Sequence, residues 1–478
     1  MLFTDSIFLL RFLPIVVGLF FLALAVTPRN WRARGWRFSL GNAVLAVGSS
    51  LFVACGSGPF IRWIIAAAFL NYLVALAIDR ARQVDDDRVG ALPEALLTLA
   101  VTGNVVLLGA FKYAMPLPVV FNERSFAVPQ LLAPFGLTFL ACHAISYVAD
   151  VSRGHMPAQG SPIRAALYLL FFPLLCAGPL VRYRDMGPQL ATRRATMAAF
   201  AYGVRRWLVG FCKVVLLARN LAGPADAVFR SSAGDLGLLE AWLGTFCFAL
   251  QIYFQLSGYA DMAIGFARMF GIRVVENFRW PYGADTVTEF WRRWNLTLVG
   301  WIRTYIGVSH EASEAGMWVR VREIFVVFLV VGFWHGPGWN VVVWGMLHGG
   351  FVAFEQLVLG ARLDRWPALA RRLYCVFVVL LLWVLFRAES VDGAVVVWRA
   401  MFSLANPVEP TSLLMTPIEW AALVIGSVAA VPFWPGSGRW LVTVDALTTS
   451  ILILTSTSII FVWRQFANTL LFLTGRRR

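Results

Sequence analysis

Charge is the first thing this sequence lacks. Only 14% of its 478 residues are Asp, Glu, Lys or Arg, against 59% hydrophobic residues, 20 Trp and 38 Phe. A soluble chain of this length would form two or three domains with a solvated surface. This composition does not supply one, and many apolar runs approach or exceed the roughly 20 residues that a membrane helix needs. Cysteine is sparse and dispersed. Cys55, Cys142, Cys176, Cys212, Cys247 and Cys375 stand singly in or near apolar segments, without CxxC or metal-ligand spacing. They are expected to be structural thiols, with no zinc or other metal site. No P-loop or dinucleotide fingerprint is present, and clusters such as Gly56-Ser57-Gly58 read as turns. No internal repeat is visible, so nothing points to an inverted-repeat transporter.

What is present is an all-α polytopic integral membrane protein, read as one membrane domain over residues 1–478. The formal charge of +15 resembles a nucleic-acid signal, but its arginines cluster in short loops between apolar runs, as the positive-inside rule predicts. Anionic membrane lipids, and no nucleic acid, are the expected partners of this charge. Ala23-Leu24-Ala25 has the form of a signal-peptidase site, yet Asp5 precedes any base and Arg11 interrupts the apolar run. A retained first helix is therefore expected.

Spans are predicted near Ile7–Val26, Leu40–Cys55, Phe60–Ile78, Leu92–Phe111, Leu131–Ala149 and Trp207–Leu221. Arg29–Arg37 and Asp79–Arg88 read as cytoplasmic loops. Ile163–Val181, broken by Pro173 and Gly178-Pro179 and flanked by a crowd of arginines, is expected to enter the membrane and return to the same side. Leu236–Phe270 is too long for a single simple crossing. Later spans are placed near Leu373–Phe386, Ile418–Trp434 and Leu447–Val462, before the tail Arg476–Arg478. About ten to thirteen membrane segments are expected, some re-entrant or broken.

Three stretches carry candidate chemistry. Val327–Gly350, VFLVVGFWHGPGWNVVVWGMLHGG, is apolar enough for a bilayer yet holds His335 and His348 and breaks at Gly336-Pro337-Gly338. Ionisable groups at membrane depth mark functional sites by default, and broken backbone survives there only where protein buries it or it lines a cavity. On one straight helix the two histidines would be about 20 Å apart and roughly 140° out of phase. They form no direct pair unless the break folds the chain. A neutral imidazole accepts a proton at physiological pH, and His335, beside the break, ranks ahead of His348 and of His143. The second stretch is Thr288–Asn295, where Trp291, Trp294 and Asn295 share one face if helical. Arg292 and Arg293 suit the phosphates of a donor; interfacial anchoring is the plainer reading of Trp291 and Arg292. The third, Gln251–Asp261, places Gln255 and Asp261 among apolar residues. Helix-helix hydrogen bonding, with an arginine partner for Asp261, is its plainer reading.

Taken together, QIYFQLSGYADMAIGFARMFGI, ENFRWPY, TEFWRRWNLTLVGWIRTYI and VGFWHGPGWNVVVWGMLHG resemble the membrane-bound O-acyltransferase family. They most resemble its alginate O-acetylase branch, and GLTFLACHAISYVADVSRG, LLCAGPLVRYRDM and VLLLWVLFRAESVDGAVVVWRAMF fit the same branch. The resemblance runs from about Phe135 to Phe402. It implies N-terminal helices over 1–130, a catalytic core over 131–402 and C-terminal helices over 403–478. It also implies His335 as the hallmark histidine, Asn295 as its companion and His348 as a possible secondary residue. Trp291, Arg292, Arg293 and Trp294 would lie at the donor, and Asp261 and Gln255 would be structural polar groups. Gln255 and Thr304 stand where the branch commonly has Asp, Asn295 where it usually has His, and Val308-Ser309-His310-Glu311 replaces a Gly-rich end. The implied protein is a multi-pass enzyme of the bacterial inner membrane, with no bound cofactor. It would take acetyl-CoA or another acyl thioester as donor, work with a periplasmic SGNH-type acetyltransferase or esterase, and serve exopolysaccharide biosynthesis. Two alternatives stay open at this point: transfer from a carrier-protein donor, and a non-catalytic membrane scaffold for glycan export.

Overall fold

In hydrocarbon every backbone N–H and C=O must be satisfied within its own segment, which leaves helices as the solution for single apolar runs. The computed structural model describes residues 3–27, 39–84, 91–112, 136–231, 236–306, 316–403 and 415–431, and no strand occurs among them. The loop Arg29–Arg37, residues 85–90, the loop before residue 136, Val308–Glu311, the span near Leu447–Val462 and the Arg476–Arg478 tail lie outside the described residues.

The chain builds α1 (Leu13–Val26, entered through a π-turn at Phe8–Phe12), α2 (Ser39–Ser57), α3 (Ile61–Val84) and α4 (Ala91–Lys112). Then come α5 (Leu137–Ser152), the short α6 (Pro162–Leu170) and α7 (Phe172–Leu175). Next follow α8 (Met197–Cys212), α9 (Arg219–Arg230) and α10 (Leu238–Met269). The site region holds α11 (Val287–Trp291), α12 (Leu296–Ile306), α13 (Met317–His335) and α14 (Trp339–Phe354). The described chain closes with α15 (Ala368–Arg387), α16 (Val391–Phe402) and α17 (Pro417–Ala429). Six helical stretches among the described residues are long and apolar enough to cross a membrane; the longest, Ser39–Gln83, turns at Gly58 between α2 and α3. Large apolar side chains on their outer faces, such as Leu10, Leu99 and Val106, are more than 60% exposed, as a lipid-facing belt requires. The protein is multi-pass.

The run expected to exceed one simple crossing is a single uninterrupted helix. Its 32 residues span about 48 Å, more than the roughly 30 Å hydrocarbon core, and tilt accommodates such excess. Residues 162–181 form two helices of nine and four residues, the first about 14 Å long and too short to cross. Their far end comes back to where they began. The Tyr183 hydroxyl donates to the Pro157 carbonyl at 3.1 Å and the Arg184 N–H to Asp150 at 2.9 Å.

Glycine decides how closely α8 and α10 pack. A Cβ at Gly203 would lie 2.5 Å from the Gly265 carbonyl oxygen, and one at Gly258 would lie 2.7 Å from that of Gly210. The helices are antiparallel with backbone against backbone, the small-residue mode of membrane helix association. Asp261, 5% exposed, lies in the same seam, bound by Arg206 Nε at 2.9 Å and Lys213 Nζ at 2.7 Å. Two aromatic-rich cores flank this seam. One joins Phe3, Phe8, Phe52 and Phe172 of the N-terminal half to Phe266 of α10. The other gathers Trp291, Trp294, Trp301, Trp344 and Trp383 around the candidate site.

Candidate active site

The break at Gly336–Gly338 turns α13 back on itself as α14. Gly332 and Gly345 let the helices touch: a Cβ at Gly332 would sit 2.9 Å from the Val341 carbonyl oxygen, and one at Gly345 would clash with that of Phe328. Farther along, Gly349 meets Phe328, so the hairpin is antiparallel throughout. This folding brings the two histidines to one indole. His335 packs against Trp344 at 5.4 Å between ring centroids and His348 against the same ring at 5.1 Å, both edge to face. They are bridged by Trp344 rather than paired directly.

Their surroundings separate their chemistry. His335 ends α13, half-buried, walled by Trp334, Trp344 and Phe386 at 4.9, 5.4 and 4.9 Å. None of the hydrogen bonds among the described residues engages its ring nitrogens. A base needs such a nitrogen within reach of the proton it takes. His348 is fully buried, and its Nδ1 accepts the indole N–H of Trp291 at 3.1 Å. Indole only donates, so Nδ1 carries no proton and the neutral ring holds its hydrogen on Nε2. Among the described residues that buried atom has no partner. His348 thus anchors Trp291 and has no acceptor nitrogen left.

The Thr288–Asn295 block is not one helix. α11 stops at Trp291, and Asn295 takes a left-handed conformation with φ of 44°. Asparagine tolerates that region better than other non-glycine residues. The strand of loop from Asn277 to Arg279 fixes it there. Arg279 N donates to the Arg293 carbonyl at 2.9 Å, Leu296 N to the Asn277 carbonyl at 2.9 Å, and Thr297 N to Asn277 Oδ1 at 3.1 Å. The shared face expected for Trp291, Trp294 and Asn295 is therefore corrected. Trp291 and Trp294, 7% and 4% exposed, turn into the core and do not share a surface with Arg292. Trp291 is not an interfacial anchor. Arg293 pairs with Glu289, whereas Arg292 is exposed and close enough to Arg303 for the two cations to repel. Asn295 has no described hydrogen bond or ring contact to His335. A chain of rings stands between them, from Trp344 to Trp383 at 5.8 Å and from Trp383 to Trp294 at 5.1 Å.

Asp261 sits in the α8–α10 seam, Gln255 is exposed on α10, and His143 is fully buried against Tyr168 at 5.4 Å. Three further residues shape the site. Glu355, buried just beyond α14, accepts from Val287 N and Thr288 N at 2.7 Å each, and so caps α11. Together with Trp291–His348, it clamps α11 onto α14 at both ends. Asn340 Nδ2 donates to the Leu385 and Ala388 carbonyls at 3.1 and 2.7 Å, which holds Phe386 against His335. Asn277 is the third. A lone acid within FVAFEQLVLG is the intramembrane ionisable signal that would have found Glu355. Among the described residues no group of three or more His, Cys, Asp or Glu side chains could hold a metal ion.

An imidazole at a broken helix end, inside an aromatic cage of a helical membrane protein, marks a reaction or transport site. Residues 130–397 match the model of the membrane-bound O-acyltransferase family, and the chain belongs to that family. Its enzymatic class is O-acyltransferase. It is similar to the probable alginate O-acetylase AlgI of Azotobacter vinelandii, 35% identical over 442 residues, covering 89% of this chain and 84% of the relative. The probable alginate O-acetylase AlgI of Pseudomonas aeruginosa is 35% identical over 416 residues, covering 85% and 76%. The peptidoglycan O-acetyltransferase of Helicobacter pylori is 29% identical over 437 residues, covering 84% and 80%.

Proposed function

We propose that the protein moves acetyl groups from cytoplasmic acetyl-CoA across the inner membrane for O-acetylation of an exported or cell-surface polysaccharide. The observation that carries this reading is His335 at the helix break, its ring nitrogens without a hydrogen-bond partner among the described residues, in a chain similar to probable alginate O-acetylases and to a peptidoglycan O-acetyltransferase. His335 takes the proton of the attacking hydroxyl as oxygen bonds to the thioester carbonyl. The proton then passes to the departing thiolate, and the products are an ester and a free thiol. A positioned base of this kind contributes about 10²–10⁴-fold. Asn295, which the Trp344–Trp383–Trp294 rings hold apart from His335, orients the bound acceptor through its amide rather than the reacting carbonyl. Arg292 and its neighbour Arg303 hold the donor phosphates, while Trp291 and Trp294, packed in the core, fix the segment that carries Arg292. A periplasmic SGNH-type transferase completes delivery to the polymer.

The experiment is transfer of a radiolabelled acetyl group into polymer by membranes containing the protein, with acetyl-CoA and an acyl-carrier thioester supplied separately. Label from acetyl-CoA is expected. Label only from the carrier would replace the donor assignment, and none from either, with the protein present, would support a scaffold.

A further inference from the structure

Lys112 ends α4, outside the segment that matches the family model. Its ammonium donates to the carbonyl oxygen of Trp334 and lies 5.7 Å from the centre of the Trp334 indole. Trp334 immediately precedes His335 in the last turn of α13, where carbonyls have no intrahelical donor and the helix dipole presents its negative end. A lysine at the end of an apolar helix normally extends its head group into water. This one is half-buried and turned inward, and no ion pair among the described residues engages it. Nothing in its own helix explains that choice: the residues it reaches belong to α13.

We infer that Lys112 is a positioning residue for acyl transfer. It caps the final turn of α13 at Trp334 and so fixes the backbone from which His335 projects. Three features support this. The cap falls one residue from His335. The same ammonium holds the indole that forms one wall of the imidazole, Trp334 against His335 at 4.9 Å. A rigid third helix, α5, backs the arrangement through Phe139 against Trp334 at 6.2 Å. The inference rests on His335 being the reacting imidazole, so its test carries a His335 variant alongside.

The test compares Lys112→Met, Lys112→Arg and His335→Ala in membranes at matched protein levels, with rates measured as the acyl donor is varied. Displacement of a reacting group by about 1 Å costs about 100-fold in rate. Lys112→Met is accordingly expected to lose about 10–100-fold in kcat with little change in donor KM, and Lys112→Arg, which keeps both donor and charge, to recover most of it. A role confined to folding would lower protein level or thermal stability and leave kcat per molecule unchanged. If Lys112→Met does not accumulate, Lys112→Leu, which also lacks a donor, must show the kcat loss at matched level. Wild-type kcat in the neutral variant, with His335→Ala inactive, overturns the Lys112 inference alone. So does an arginine variant as slow as the methionine one. Full activity in His335→Ala overturns the His335 assignment itself.

Discussion

Replacing Gly203 by alanine puts a methyl group where two helices already touch. The new Cβ would lie 2.5 Å from the Gly265 carbonyl oxygen, 2.7 Å from Met269 Cγ and 2.8 Å from Met269 N. Real contacts of this kind do not fall below 3.0 Å, so α8 and α10 must separate by at least 3.0 − 2.5, about 0.5 Å. Two of the three obstacles are backbone atoms and cannot rotate away. Overpacking of this sort costs about 1–3 kcal/mol, and rigid obstacles place this site near the upper end. Against it stands the helix preference for alanine over glycine, about 1 kcal/mol. The net is a loss of about 2 kcal/mol. Gly109 on α4 provides the control, because a Cβ there meets nothing within 4 Å. Gly109→Ala should therefore stabilise, by up to about 1 kcal/mol. Chemical unfolding in mixed micelles, followed by far-ultraviolet circular dichroism, reads both. Two variants with the same midpoint would refute the backbone-to-backbone seam.

Further expectations follow from the same geometry. Asp261→Asn leaves Arg206 and Lys213 facing each other in the seam and should cost about 3–5 kcal/mol of stability, although Arg206 retains Glu276; protein levels and unfolding midpoints measure it, and a loss under about 1 kcal/mol would contradict the ion-pair reading. His348→Ala strands the buried indole N–H of Trp291 and should cost about 1–3 kcal/mol. In a double-mutant cycle with Trp291→Phe the two changes should couple by about 1 kcal/mol, and strict additivity would remove the bond. Arg292→Ala should raise donor KM about 10-fold with kcat held, whereas Arg293→Ala, already tied to Glu289, should change it less. Equal effects would reject Arg292 as the freer cation.

Much of this was legible in the residues, and the misses have physical causes. His335 stood out because an ionisable group and a backbone break coincide within an apolar run. The spacing to His348 left a direct pair open only through a fold-back; Gly332, Gly345 and Gly349 permit that fold-back, and Trp344 still stands between the two rings. Trp291 read as a boundary anchor or a donor-site residue, and Trp294 as a donor-site residue, because composition does not say which way an indole faces; both are buried in the core. The left-handed turn at Asn295 depends on Asn277, which is 18 positions away in the chain and carries no local signal. α10 was hard to read as one helix because its length exceeds the membrane, and its close packing on the glycines of α8 is visible only in the structure. Lys112 is invisible from sequence, because its role exists only once α4 meets α13.

The central claim is that His335, and not His348, carries the proton in acyl transfer. The direct measurement is mass spectrometry of surface-polysaccharide O-acetyl groups in a deletion strain complemented with wild-type, His335→Ala or His348→Ala protein, each present in the membrane at equal amount. The account predicts no O-acetylation with His335→Ala and detectable O-acetylation with His348→Ala. Full O-acetylation with His335→Ala would contradict it.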